Sequence, residues 1–280
     1  MKVAIVTDST AYIPSDIREK WNIHMVPLNV VLEDASYQEE VDLTTDKFYD
    51  LVRGLEVLPK TSQPSIGLLT ETYNQLAETH DDVISIHLSS GISGTFQTAL
   101  AANQMVEDID IHAFDSEISA MPQGFYVLEA AEMAEKGATA AEIMARLHEM
   151  KQSMRAYFMV DDLSHLHRGG RLSGAQALLG SVLQVKPLLH FVDTKIVPFE
   201  KIRTHKKALK RLQSLFAEDA QARVPIRGVV IHANRPQEAE QLRQELQEQY
   251  PHVELTVSHF GPVIGTHLGE GALGLGWYLK

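Results

Sequence analysis

The sequence predicts an α/β protein of two domains: an amino-terminal α/β/α domain with a parallel sheet over residues 1–154, and a carboxy-terminal α+β domain with a mixed sheet over 155–280. Three observations carry this. Apolar runs rich in Val and Ile alternate with helical stretches through the first half, which argues for a helix-covered parallel sheet. In the second half two apolar runs are joined by only Asp193-Thr194, the length of a β-hairpin turn, although without the glycine that a primed turn favours. Finally, 280 residues with 44% hydrophobic and 22% charged content suit an ordinary globular chain long enough for two modest domains or one large one.

The elements follow in order. Lys2–Thr7 is a β-branched run with a polar exit at Asp8-Ser9-Thr10, and His24–Leu32, Asp82–Leu88 and Ile109–Phe114 are three further strands. Helical patterns occupy 45–53, 66–78, 95–105, 123–136 and 140–152. The second half opens with a strand over Arg155–Val160, a break at Gly169-Gly170 and a short helix over Gly174–Leu183. The hairpin strands are Val185–Val192 and Lys195–Lys201. Helices over Lys206–Glu218 and Pro236–Gln249 alternate with strands over Ile226–Ala233 and Val253–His259, and Ala272–Leu279 is a last strand or short helix.

Composition excludes several classes. With no cysteine there is no disulfide framework, thiol nucleophile or thiolate metal site. No run approaches the roughly 18 apolar residues of a membrane span, and the short apolar run after Met1-Lys2 does not read as a signal peptide. A cytoplasmic protein is the expectation. The net charge of −12 is unevenly spread: residues 1–150 carry 8 basic against 25 acidic side chains, residues 151–211 carry 12 against 4, and residues 212–280 carry 5 against 8. So acidic a chain opposes phosphate at long range, so nucleic acid is not an expected partner. The basic stretch is either a solvated helix face around 204–215 or a docking face for an acidic partner or phosphorylated ligand.

Ligands of open α/β sheets bind beyond the carboxyl ends of the strands. The exits there are Asp8-Ser9-Thr10, Thr61-Ser62-Gln63-Pro64-Ser65, Ser89 to Thr95, and Asp115-Ser116. Ser89 to Thr95, a Ser/Gly run leading into a helix, offers hydroxyls and backbone N–H groups to an anion, although a plain N-cap uses the same residues. It is neither a nucleophile elbow, since Thr95 stands where the second glycine of G-x-S-x-G belongs, nor a Walker loop. Gly261 to Ala272 reads as a glycine-rich loop enclosing His267. His165-Leu166-His167 lacks a zinc spacing, and no metal is assigned.

Read together, Thr7-Asp8-Ser9-Thr10, Thr61 to Ser65, Ser89 to Thr95, His167 to Ser173, Lys186-Pro187-Leu188-Leu189 and Pro262 to His267 closely resemble the DegV family. These are the bacterial fatty-acid-binding proteins called FakB when they work with a fatty acid kinase. The resemblance runs from end to end and implies an α/β/α domain followed by an α+β domain holding the acyl tail. It implies a carrier of one long-chain fatty acid, with no other cofactor, whose carboxylate is phosphorylated by the kinase to an acyl phosphate that feeds phospholipid synthesis. By the same resemblance Thr61, Ser93 and His267 hold the carboxylate. Ser62, Gly94, Thr95 and Thr266 are secondary candidates beside them. The family's usual Lys-Gly-Gly-Arg appears as Arg168-Gly169-Gly170-Arg171, and its Gly-Pro-Gly as Gly269-Glu270-Gly271, which adds a negative charge expected near the head group.

Burial of about fourteen methylenes at roughly 0.8 kcal/mol each supplies on the order of 11 kcal/mol, so the tail can drive binding. The carboxylate needs donors, and neutral hydroxyls and an imidazole suit a carrier that must release its product. Arg168, Arg171, Arg203 and Lys207 are expected to dock the kinase; alternatively, Arg171 is a buried partner of Asp161 or Asp162. A monomer and transient membrane-surface contact complete the expectation. The competing enzyme reading is a serine hydrolase or thioesterase using Ser93 and His267, disfavoured by the elbow spacing and the lack of an acid for the histidine.

Overall fold

The computed structural model describes residues 2–33, 35–55, 58–174 and 186–280. Its first sheet is wholly parallel, in the order β2-β1-β6-β7, from β1 (Val3–Asp8), β2 (Ile23–Val26), β6 (Asp82–His87) and β7 (Asp110–Asp115). β1 and β6 are buried along their whole length, as strands covered on both faces are. One face packs on α3 (Ile66–Ala77) and α4 (Thr95–Asn103) through Leu69, Tyr73, Ala99 and Ala102. Against the other lie α5 (Met121–Glu135) and α6 (Ala140–Ser153), the latter started by a capping box between Thr139 and Glu142.

The second sheet is mixed, in the order β10-β9-β8-β13-β11-β12, from β8 (Arg155–Met159), β9 (Leu188–Val192), β10 (Lys195–Glu200), β11 (Ile226–His232), β12 (Glu254–His259) and β13 (Leu273–Leu279). Only β11 and β12 run parallel. α8 (His205–Ala220) and α9 (Pro236–Gln249) close one face around Trp277, Phe216 and Leu242. The other face meets α5 and α6, so the layers run helix, sheet, helix, sheet, helix. The largest buried cluster passes through all the inner layers, with Ile86, Phe125, Leu189 and Tyr278 among its members.

A third, antiparallel sheet, β4-β3-β5, is built from β3 (Asn29–Leu32), β4 (Ala35–Gln38) and β5 (Lys60–Ser62). α2 (Thr45–Val52) and α10 (Pro262–Leu268) pack together here, with α10 also touching β3, β5 and α7 (Ser164–Arg168). The short α1 (Ser15–Lys20) buries no residue.

Two readings of the sequence change, and the hairpin forms as expected. The run His24–Leu32 is two strands in two different sheets, because Pro27 has no N–H for a ladder and redirects the chain between them. The glycine-rich segment 261–272 is not a continuous loop: Pro262 starts α10 and Gly269, at φ 75, ends it, so the glycines punctuate a helix. The hairpin turn forms without glycine, Asp193 and Thr194 themselves taking φ 46 and 70. Apart from Gly174, the helix expected over Gly174–Leu183 lies outside the described residues.

Candidate ligand-binding site

β5 carries Thr61 beside α10, and the Thr61 hydroxyl lies 2.8 Å from Nε2 of His267. Burial, the Arg171 charge and nearby His165 hold the His267 imidazole down to about 4, so it is neutral at pH 7. The ring rests on the Gly169-Gly170 turn: a Cβ on Gly169 would stand 2.5 Å from His267 Nδ1, so close approach explains that glycine.

Beyond β6, the chain turns through Ser89 to Gly94 into α4. Ser93 Oγ lies 2.9 Å from Thr95 Oγ1 and accepts from the Thr95 N–H at 3.3 Å, which supports the first turn of α4. The hairpin turn between β9 and β10 braces this loop, with Ser89 Oγ donating to the Thr194 carbonyl at 2.6 Å. A side chain at Gly91 would run into that carbonyl. Arg171 closes the ring, its Nε donating to the Ile92 carbonyl at 3.1 Å and its Nη1 to the Gly169 carbonyl at 2.6 Å.

Thr61, Ser62, Gln63, Ser93, Arg171 and His267 thus line the polar part of a single cavity. Apart from Ser119 and Tyr157 its other walls are apolar, and they come from the start of α5, from α7 and α10, from the mixed sheet and from adjoining loops, with Leu28, Leu88, Ala120, Phe158, Phe191, Ile231, Phe260 and Ile264 among them. The cavity is narrow, with a volume of about 80 Å³. Chemically, hydroxyl, imidazole and guanidinium donors suit an anionic oxygen, and the apolar walls suit an alkyl chain.

The secondary candidates separate. Ser62 lines the cavity. Gly94 is the N-cap of α4 and packs on the Gln63 side chain, and Thr95 is wholly buried against Ser93. Thr266 lies elsewhere: its hydroxyl donates to the Pro262 carbonyl at 2.8 Å, and it lines a separate depression with Arg168 and Glu270.

Arg168, Arg203 and Lys207 are exposed. Arg203 and Lys207 share a groove with Lys201 and Lys210, whereas Arg168 donates to the Ser164 hydroxyl at 3.1 Å. Arg171 departs from the ion-pair expectation. Asp161 is taken by Lys186 and Arg235, and Asp162 accepts from Ser164, which leaves the Arg171 guanidinium at the cavity. The polar part therefore includes a fixed positive charge, not neutral donors alone. Glu270 points away from it, toward Arg53 at 3.4 Å and Asn234 at 2.7 Å. Gln63 was invisible as a site residue in the sequence; its only signal was its place inside the Thr61-to-Ser65 string.

No Ser93–His267 dyad is assembled, because the imidazole Nε2 faces Thr61 and Ser93 Oγ faces Thr95. A Ser–His–Asp line does exist elsewhere. Ser85 Oγ lies 2.8 Å from His87 Nε2, and His87 Nδ1 lies 3.1 Å from Asp8 Oδ2. All three are wholly buried, and Ser85 also meets the Tyr73 hydroxyl at 2.8 Å, so no substrate reaches them.

The layers and this cavity define an α/β protein of two large sheets and one small one, with an amphipathic cavity among them. The chain belongs to the DegV family: the family model described as "Uncharacterised protein, DegV family" matches residues 2–280. It is 58% identical over 281 residues to Protein DegV of Bacillus subtilis (strain 168), covering 100% of both chains. Among solved structures it is similar to DegV, a fatty acid binding protein from Bacillus subtilis, with TM-score 0.96 and 57% identity over 100% of both chains. A fatty-acid-binding DegV family protein from Thermus thermophilus follows at TM-score 0.94 and 32% identity, again over 100% of both chains.

Proposed function

We propose that this protein binds one long-chain fatty acid, with the carboxylate at Thr61, Ser93, His267 and Arg171 and the tail between parts 1–154 and 155–280. The observation that carries the reading is the cavity itself, in which hydrogen-bond donors and one guanidinium meet otherwise apolar walls. The two solved relatives above are fatty-acid-binding proteins by their own descriptions. Native mass spectrometry of the purified protein, followed by denaturation and organic extraction, tests it. One fatty acid per chain supports the reading; a protein that is empty and takes up no added palmitate ends it.

In this reading the protein is a carrier that presents the carboxylate to a separate fatty acid kinase for acyl-phosphate formation and phospholipid synthesis. The exposed basic groove with Arg203 and Lys207 offers a docking face, and Arg168 a further contact. Replacing Arg203 and Lys207 by Glu is expected to lower turnover with the kinase and leave palmitate affinity unchanged. Unchanged turnover at low salt would sink the docking role.

A further inference from the structure

Glu39 is a wholly buried carboxyl outside the cavity, at the joint between the amino-terminal part and α10. Its Oε2 accepts from Ser9 Oγ at 2.5 Å, and its Oε1 accepts from the Tyr12 hydroxyl at 3.0 Å and from the Val263 N–H at 2.7 Å. The Tyr12 oxygen in turn accepts from the Ile264 N–H at 3.3 Å. One carboxyl and one phenol thus hold two early amides of α10, and His267 follows Val263 by four residues, one turn along the same helix face.

The other end of the clasp is equally fixed. Ser9 Oγ accepts from the Leu28 N–H at 3.1 Å, and the Glu39 N–H donates to the Leu28 carbonyl at 2.9 Å. Two residues on from Leu28, Val30 of β3 pairs with Thr61 of β5. The same carboxyl therefore references both partners of the Thr61–His267 contact, one through Leu28 and the small sheet, the other through α10. Three donors converge on a buried acceptor that a hydrophobic residue of similar size would not need for packing.

We propose that Glu39 is a positioning residue: it sets the placement of α10, and so of His267, against Thr61 where the ligand carboxylate binds. The inference rests on the fatty-acid reading and assigns Glu39 no contact with the ligand. A residue that only stabilises the fold would affect every ligand alike once the protein is folded. A positioning residue selectively affects the head group.

The test compares palmitate with hexadecanol, which shares the tail and lacks the charge, by competition in wild type and in Glu39→Ala, Tyr12→Phe and Glu39→Gln. Glu39→Ala is expected to weaken palmitate at least tenfold while hexadecanol stays within twofold. Tyr12→Phe, which frees the Ile264 N–H and removes one of the three donors to Glu39, and Glu39→Gln, which keeps an oxygen for Val263, are expected to show smaller losses of the same selectivity. They also keep the test open should Glu39→Ala fail to fold. Equal effects on both ligands in the folded variants, or no effect on either, overturn the proposal while fatty-acid binding stands. A wild type that binds neither ligand removes the fatty-acid reading itself.

Discussion

Two clusters of hydroxyl and imidazole groups lie in this protein, and they have opposite surroundings. Asp8, His87, Ser85 and Tyr73 form a chain of hydrogen bonds sealed around the parallel sheet, whereas Thr61, His267, Ser93 and Arg171 border a cavity. By residue type the sealed cluster looks more like a hydrolytic centre, since it alone holds a Ser–His–Asp line. Access decides otherwise. The sealed cluster ties the end of β1 to the end of β6, with Asp8 also accepting from the N–H groups of Thr10 and Leu88 at 3.1 and 2.9 Å. That fixes where the loop bearing Ser93 begins, so one cluster builds the platform on which the other works.

This division is broken or sharpened by measurement. The largest expected effect is on Asp8→Ala, which strands a buried imidazole and two amides: unfolding by urea should show a loss of about 3–5 kcal/mol, with palmitate affinity of the folded fraction kept. If Asp8→Ala were no more destabilising than a cavity variant, the platform role would collapse. His267→Ala or Arg171→Ala should do the reverse, weakening palmitate by about 1.5–3 kcal/mol, the usual worth of hydrogen bonds to charged groups. Their stability should change by less than Asp8→Ala.

The pH dependence separates two buried carboxyls. Burial raises the Asp8 pKa, but the His87, Thr10 and Leu88 contacts outweigh it and hold Asp8 below its ordinary value of 3.8. Its contribution is thus present above that value and lost as the pH falls through the lower folded value. For Glu39 burial wins, with the Ser9, Val263 and Tyr12 donors only partly opposing it, and the pKa rises from 4.5 to about 8. The folded state then binds the extra proton, and stability should fall as pH rises from 4.5 to about 8. Urea titrations across that range should show the slope in wild type and a flatter profile in Glu39→Gln; an identical slope in both would assign it to other groups.

The smallest effect is expected for Ser93→Ala, a loss of about 1 kcal/mol in palmitate binding. Hydrolysis of a p-nitrophenyl ester should be absent before and after the change. Steady turnover abolished by Ser93→Ala would revive the enzyme reading.

Much of the architecture was legible because its signals are local. Pro236–Gln249 is a helix over the span its pattern predicted, and the hydrophobic runs of β1, β6 and β11 mark strands covered on both faces. What escaped was carried by neighbours distant in the chain. The short strands β4 and β5 have too little pattern to announce themselves and exist because β3 pairs with both. α10 was hidden by its glycines, two of which serve contacts to other elements: Gly265 packs on Phe48 and Tyr49, and Gly269 on His165.

The sequence alone determined the alternation of strands and helices, the basic stretch between 151 and 211, and the motif strings that name the family, because these depend on composition and spacing along the chain. Only the tertiary structure decided which of those residues meet. It turned Arg171 toward the cavity, turned Glu270 and Thr266 away, sealed Ser85, His87 and Asp8, and joined Glu39 to α10. Side-chain direction and access depend on packing between segments as far apart in the chain as Tyr12 and Ile264, and no local pattern encodes that.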